Sequence, residues 1–271
     1  MKAGLALVLS CLSSGCATQM GRGGPSACAL PAATAAIAVE RPRDAERHEY
    51  FVFKDEAKWW APAPEDDERA EYRTALIRRL GGAAQLSPRE LLLRQRAVHT
   101  VLSGDRAREA ENIDAVLAGQ AEIGPASCLE WRLFQWQARR FPMLARPTEF
   151  MAYVLRGHGE IHVYVSGADR VGGRLPGEVR ARVLADVAAG FVPVAHLHNH
   201  PFMFDRTPGD RTWATAETVH DIAGALAPSM SDVQVYRGMR EEFGLRAAWV
   251  TNGLDTSRLP AAAFAHLASW P

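Results

Sequence analysis

The chain has 271 residues, of which 48% are hydrophobic and 23% are charged. This balance is typical of a globular protein with room for one large domain or two small ones. Lys plus Arg and Asp plus Glu both number 31, so no excess of charge favours a nucleic acid, an anionic membrane surface or an acidic partner. We therefore expect no nucleic-acid partner.

The first residues have the pattern of an export signal. Lys2 is followed by the apolar run 3–9, and then by small residues up to Gly15 and Cys16. The run is far shorter than the roughly 18 residues that a membrane-spanning helix needs, which disfavours a permanent transmembrane segment. A buried N-terminal strand or helix is the alternative interpretation.

The end of this segment, Leu12-Ser13-Ser14-Gly15-Cys16, resembles a bacterial lipobox. In a lipobox a small residue precedes a cysteine that is lipidated and becomes the mature N-terminus, and Cys16 matches that cysteine. Ser13 stands where the pattern usually has an aliphatic residue, so secretion with cleavage nearby is the alternative. The resemblance implies an exported lipoprotein that is anchored in a membrane and faces the periplasm or the cell exterior.

Two further cysteines, Cys28 and Cys128, remain if residues 1–15 are removed. An oxidising compartment would let them pair if the fold brings them together. The sequence marks them as a candidate disulfide and leaves open whether they pair.

Composition divides the next part of the chain in two. Residues 17–47 are rich in Ala, Gly, Pro and Arg without a sustained period, which predicts a flexible tether. Residues 48–127 are predicted to form a mostly helical accessory region that begins with a strand at 49–53. Ser-Pro-Arg-Glu gives one of its helices an N-cap and a proline at the first helical position. Helices are expected over residues 65–80, from Ser87, and over 106–118.

Residues 128–271 are predicted to form a mixed α/β domain, because segments rich in Val, Tyr and Phe alternate with helical patterns. Strands are expected over residues 150–156, 160–165, 192–198 and 247–251. Helices are expected over residues 177–189 and from Ser229.

The run His196-Leu197-His198-Asn199-His200-Pro201 favours a metal site, because side chains two residues apart on a strand point to the same face. A catalytic zinc ion usually takes three protein ligands and keeps its fourth position for water. Two histidines and one carboxylate satisfy that count. His-x-His alone is a weak signal, and His196 is expected to be a core or supporting residue.

Three segments extend this pattern along the chain. Glu149 opens Glu-Phe-Met-Ala-Tyr-Val-Leu-Arg-Gly, His198-Asn199-His200-Pro201 follows, and Pro228-Ser229-Met230-Ser231-Asp232 comes last. Together they resemble the signature of the JAMM (MPN-plus) zinc metallopeptidases, which is a Glu on an early strand, then His-x-His-Pro, then Ser-x-x-Asp. The resemblance covers about residues 147–253.

The resemblance implies that His198, His200 and Asp232 bind zinc, that Glu149 is the general base, and that Ser229 donates to the developing oxyanion. It implies an α/β (α+β) fold with a cytidine-deaminase-like mixed sheet flanked by helices. The expected function is that of a zinc-dependent peptidase or isopeptidase, which uses metal-activated water on a peptide or protein substrate outside the cytoplasm. A catalytically silent MPN-type binding or scaffold module is the alternative.

Several assignments stay open. Residues 202–228 form an insert longer than the family's usual gap, and Asp210 within it is the rival of Asp232 as third ligand. Long loops in compact domains are usually functional or disordered, so its aromatic and Met side chains are candidates for a lid or cleft wall. Ser229 followed by Asp232 is also close to a capping box, and the two interpretations are compatible. The insert residues are Phe202, Met203, Phe204 and Trp213, and the rival base is Glu160, close to His158 and His162.

Overall fold

The computed structural model describes residues 28–101, 107–173, 175–202 and 224–270. Eight strands lie in these ranges: β1 (Ala35–Ala36), β2 (Arg47–Lys54), β3 (Glu122–Pro125), β4 (Phe150–Gly157), β5 (Glu160–Gly167), β6 (Val192–Asn199), β7 (Ala247–Thr251) and β8 (Asp255–Pro260). Six α-helices accompany them: α1 (Asp67–Leu80), α2 (Pro88–His99), α3 (Glu109–Ala115), α4 (Cys128–Ala138), α5 (Gly177–Ala188) and α6 (Met230–Phe243). Within the described ranges, no helix combines the length and apolar character needed to span a bilayer.

All eight strands belong to one sheet with the order β1-β2-β5-β4-β6-β7-β8-β3. The pair β6 and β7 is parallel, and the other neighbouring pairs are antiparallel. The sheet is therefore mixed, which confirms the predicted α/β class.

Helices cover both faces of the sheet, as the alternation of side chains along a strand requires. On β4, Tyr153 and Leu155 pack with buried residues of α5 and α6, whereas Ala152 and Val154 pack with α4. The two apolar clusters are separated by the sheet. His196 and His198 alternate with Ala195 and Leu197, which belong to the α4 side.

Side-chain caps begin α2, whose start the sequence predicts, and α4, which the sequence does not predict. Ser87 accepts a hydrogen bond from the backbone N–H of Glu90, and the Glu90 carboxylate accepts from Ser87 N–H, so α2 begins with a capping box. The same arrangement of Ser127 and Glu130 begins α4. The apolar residues of α4 do not follow a clear helical period, because both faces of this helix are largely buried.

The N-terminal part of the described chain differs from the predicted tether over residues 17–47. Strand β1 pairs with β2, and Ile37 is 5% exposed within the apolar core. Cys28 and Cys128 form a disulfide whose Cα atoms are 5.5 Å apart. Backbone pairing and a covalent link need no hydrophobic period, so a segment without one can still be held on the domain.

The sequence predicts a boundary between residues 127 and 128, with a helical accessory region before it and an α/β domain after it. In the structure, strands from both sides of this boundary lie in one sheet. Strand β2 lies between β1 and β5, and β3 pairs with β8 at the sheet edge. Strands from residues 48–127 thus complete the sheet of the C-terminal region. Strands β3 and β8 are absent from the sequence predictions because these short segments lack a clear apolar alternation.

Candidate metal centre

The structure brings His198, His200 and Asp232 together. The Nε2 atoms of the two imidazoles are 3.1 Å apart, and Asp232 Oδ2 lies 3.4 Å from His198 Nε2 and 3.5 Å from His200 Nε2. Both histidines are buried, while 25% of the Asp232 side chain is exposed. These residues form a group that could hold a metal ion.

Strand β6 positions the two imidazoles near the centre of the sheet. His198 pairs with Met151 on β4 and with Val250 on β7, so its backbone is held on both sides. His200 follows the strand, and its backbone N–H donates to Thr251 O at 2.9 Å. The spacing of two residues then puts both rings on the same side of the sheet.

A further contact at Nδ1 orients each ring. His200 Nδ1 lies 2.9 Å from Ala225 O, and His198 Nδ1 lies 3.3 Å from the hydroxyl oxygen of the buried Tyr236. A backbone carbonyl can only accept, so Nδ1 is the nitrogen of His200 that donates there, which leaves Nε2 as the atom available to a metal ion. Both Nε2 atoms thereby face Asp232.

Helix α6 positions Asp232 through a capping box at its first turn. Asp232 Oδ2 accepts from Ser229 N at 2.8 Å and from Ser229 Oγ at 2.7 Å, and Asp232 N donates back to Ser229 Oγ at 3.1 Å. The carboxylate also benefits from the positive end of the helix dipole. Ser229 therefore orients the candidate ligand while lining the cavity beside it.

The acidic and basic groups of the cluster shift one another's pKa values. Burial opposes ionisation of Asp232, but the facing imidazoles of His198 and His200 hold its pKa well below the ordinary value. Burial likewise lowers the pKa of His200, yet Asp232 and Glu149 raise it above the usual range. Such mutual shifts are common where acidic and basic groups converge in a functional site.

Glu149 directly precedes β4 and lies on the wall of the same cavity as His200 and Asp232. Burial raises the pKa of its carboxyl group, although the neighbouring imidazoles of His200 and His198 partly offset this effect. A half-buried carboxylate whose pKa is raised above its ordinary value is suited to proton transfer.

His196 is a buried core residue, as the sequence predicts. Its ring packs against Tyr153 and Tyr236, with centroids 5.1 and 5.7 Å away. Burial lowers its pKa to about 3, so the imidazole is neutral. It lies next to His198 without joining the cluster of three.

A cavity of about 350 Å³ opens beside the cluster, and the helical region 48–127 supplies one of its walls. Gln95 and His99 of α2 and Glu109 of α3 line this wall, and the first two are buried. Sequence reasoning did not single out these three residues. The available signal was the spacing of Leu91, Gln95 and His99, which places polar groups on the apolar face of an amphipathic helix.

Helix α3 also holds the segment that leads into α6. Glu109 Oε2 accepts from Met230 N at 2.9 Å. Asn112 Nδ2 donates to Pro228 O at 3.2 Å and to Ala268 O at 3.1 Å. The position of Asp232 thus depends on a helix more than a hundred residues earlier in the chain.

The other candidates are separated from the cluster or lie outside the described residues. Glu160 starts β5 at the end of the β4–β5 hairpin away from Phe150, and its carboxylate lies 3.5 Å from His162 Nε2. Phe202 is buried with Leu76, Leu91 and Leu254. Cys16, Met203, Phe204, Asp210 and Trp213 fall outside the described residues.

Comparisons with protein-family models, with curated proteins and with solved structures found no match to this chain. The fold and the site therefore define a mixed α/β protein with a His-His-Asp group suited to a metal ion. Its function has to be argued from that geometry.

Proposed function

We propose that the protein is a zinc-dependent peptidase or isopeptidase of the JAMM type. The observation that carries this proposal is the cluster of His198, His200 and Asp232, of which His200 and Asp232 line a cavity that also contains the half-buried Glu149 carboxylate. A metal site with a nearby carboxylate outside the ligand set has the parts that metal-assisted hydrolysis needs.

The donor atoms fit zinc in number, chemistry and spacing. Structural and catalytic zinc sites use histidine nitrogen and carboxylate oxygen at about 2.0–2.2 Å, and a tetrahedron of such bonds separates neighbouring donors by about 3.3 Å. The three donor atoms of the cluster lie 3.1, 3.4 and 3.5 Å from one another. A catalytic site would use the remaining position for water or substrate.

Each residue then has a distinct role. When bound, zinc polarises a scissile carbonyl and lowers the pKa of a water molecule to about 7. Glu149, outside the ligand set, would accept a proton from that water and deliver it to the leaving amine. Ser229 lies on the cavity wall, where its hydroxyl can turn from Asp232 toward a developing oxyanion.

We also propose that the protein works outside the cytoplasm as a lipoprotein anchored through Cys16. The disulfide between Cys28 and Cys128 supports an oxidising compartment, because thiols in the cytosol are kept reduced. Incorporation of radiolabelled palmitate into the parent, and its loss in Cys16→Ser, would be the expected result. Release of an unmodified soluble form would reject lipidation.

The experiment that tests the enzyme proposal measures zinc and hydrolysis in the same preparations. Purified parent, His200→Ala, Asp232→Ala and Glu149→Gln are reconstituted with zinc and assayed for metal by mass spectrometry. Hydrolysis is measured as new termini in a peptide library made by digesting a bacterial extract. Glu160→Gln is the matched control, since it removes the same charge at the far end of the hairpin.

We expect about one zinc ion per chain in the parent, in Glu149→Gln and in Glu160→Gln, and little in the two ligand variants. Glu149→Gln should lose hydrolysis by about 10²–10⁴-fold, whereas Glu160→Gln should remain active. Loss of zinc from Glu149→Gln would contradict the assigned role. A folded parent that takes up no zinc would reject the enzyme and favour the silent MPN-type binding module.

A further inference from the structure

Asn199 stands between the two candidate histidine ligands, and its side chain is fully buried away from them. Its Oδ1 accepts a hydrogen bond from Phe150 N at 2.8 Å. Its Nδ2 donates to Thr148 O at 3.1 Å. One side-chain amide thus holds the two peptide groups on either side of Glu149.

These two hydrogen bonds continue the pairing of β4 with β6 at the point where the backbone hydrogen bonds between the two strands end. Strands β4 and β6 pair from Val192 with Arg156 up to His198 with Met151. One step further, the amide of Asn199 supplies the acceptor and the donor that a paired strand would supply. The backbone beside Glu149 is therefore attached to the strand that carries both imidazoles.

A loop after β5 holds Glu149 from the other side. Glu149 N donates to Arg170 O at 2.9 Å, and Gly172 N donates to Glu149 Oε2 at 2.6 Å. Gly172 has a φ of 80°, a backbone conformation that glycine adopts without a steric penalty. The Arg170 guanidinium in turn contacts Asp44 at 3.0 Å and Glu46 at 2.7 Å.

We infer that Asn199 is a positioning residue that fixes the Glu149 carboxylate relative to His198 and His200. The inference rests on the proposed function, in which Glu149 transfers protons at a metal held by those imidazoles. Asn199 does not touch the cavity, because the residues that line it do not include Asn199. Its effect on hydrolysis therefore passes through the backbone of residues 148–150.

The test uses Asn199→Asp and Asn199→Ser in the full chain. Asn199→Asp keeps an oxygen that can accept from Phe150 N–H but loses the donor to Thr148 O. The side chain in Asn199→Ser is too short to form either hydrogen bond. Three quantities are measured: zinc content, the exchange rate of the Phe150 amide by nuclear magnetic resonance, and new termini in the peptide library.

We expect both variants to bind zinc like the parent, since neither changes a ligand. Exchange at Phe150 N–H should be slow in the parent and faster in Asn199→Ser. Hydrolysis should fall by about 10²-fold, as expected for a catalytic group displaced by about 1 Å. Ile161→Val is the control for stability, because Ile161 is buried at the opposite end of the β4–β5 hairpin.

Each outcome decides between the two proposals. A parent that hydrolyses the library while both Asn199 variants keep its rate would overturn the positioning role alone. Fast exchange at Phe150 N–H in the parent would overturn the positioning role without any variant. The hydrogen bond from Phe150 N–H to the Asn199 side chain would then be absent. A parent without zinc or hydrolysis would overturn the proposed function, and the positioning role with it. Equal losses in Ile161→Val and Asn199→Ser would assign the effect to stability.

Discussion

Removal of the Tyr236 hydroxyl should weaken zinc binding without changing a ligand. Tyr236 is buried, and its hydroxyl oxygen lies 3.3 Å from His198 Nδ1. Burial, reinforced by the carboxylates of Asp232 and Glu149, holds its pKa well above the usual value, so the hydroxyl is neutral. It can therefore accept from Nδ1–H and leave the Nε2 lone pair of His198 for the metal.

The size of the effect follows from the length of this contact. Loss of such a supporting hydrogen bond typically costs about 10–100-fold in metal affinity. At 3.3 Å the contact is longer than the roughly 2.9 Å of a good N–H···O bond. We therefore expect the lower end, about 10-fold in zinc Kd for Tyr236→Phe, which equals about 1.4 kcal/mol.

Competition with a chelator of known zinc affinity, at fixed pH, measures this change. Tyr153→Phe is the matched control, because it also removes a buried hydroxyl, and that hydroxyl contacts Met151 Sδ at 3.9 Å rather than a candidate ligand. Its zinc Kd should equal that of the parent. An unchanged Kd in Tyr236→Phe, or an equal loss in both variants, would refute the reasoning.

Two further predictions concern the disulfide and the pH dependence of zinc binding. The disulfide spans a sequence separation of 100 residues, so replacing Cys28 and Cys128 by Ser should lower the free energy of unfolding by about 2–5 kcal/mol in urea titrations. An unchanged urea midpoint and slope would contradict this. Although burial lowers the pKa of His200, the carboxylates of Asp232 and Glu149 raise it above the ordinary imidazole value of 6.5. Protons should therefore begin to displace zinc as the pH falls through values above 6.5, and a zinc Kd that is constant down to that pH would contradict the assignment.

Local features of the site are encoded in short stretches of sequence. The spacing of His198 and His200 puts both imidazoles on one side of β6, because the side-chain period of a strand is two. Ser229 and Asp232 are three residues apart, as a capping box requires, so the start of α6 and the direction of the Asp232 carboxylate follow from four residues. These patterns are readable because each depends only on near neighbours in the chain.

Other features depend on contacts between distant segments and could not be predicted from local patterns. The cavity wall joins His99 of α2 to Asp232 of α6, and the disulfide joins Cys28 to Cys128. The two hydrogen bonds from the Asn199 side chain to the backbone beside Glu149 exist only because β4 and β6 are neighbours in the sheet. The sequence by itself determined the strands β2, β4, β5, β6 and β7, the helix starts at Ser87 and Ser229, and the candidate ligands, since local backbone geometry fixes them. The tertiary structure decided which of these groups share a cavity, because strand order and packing bring distant residues together.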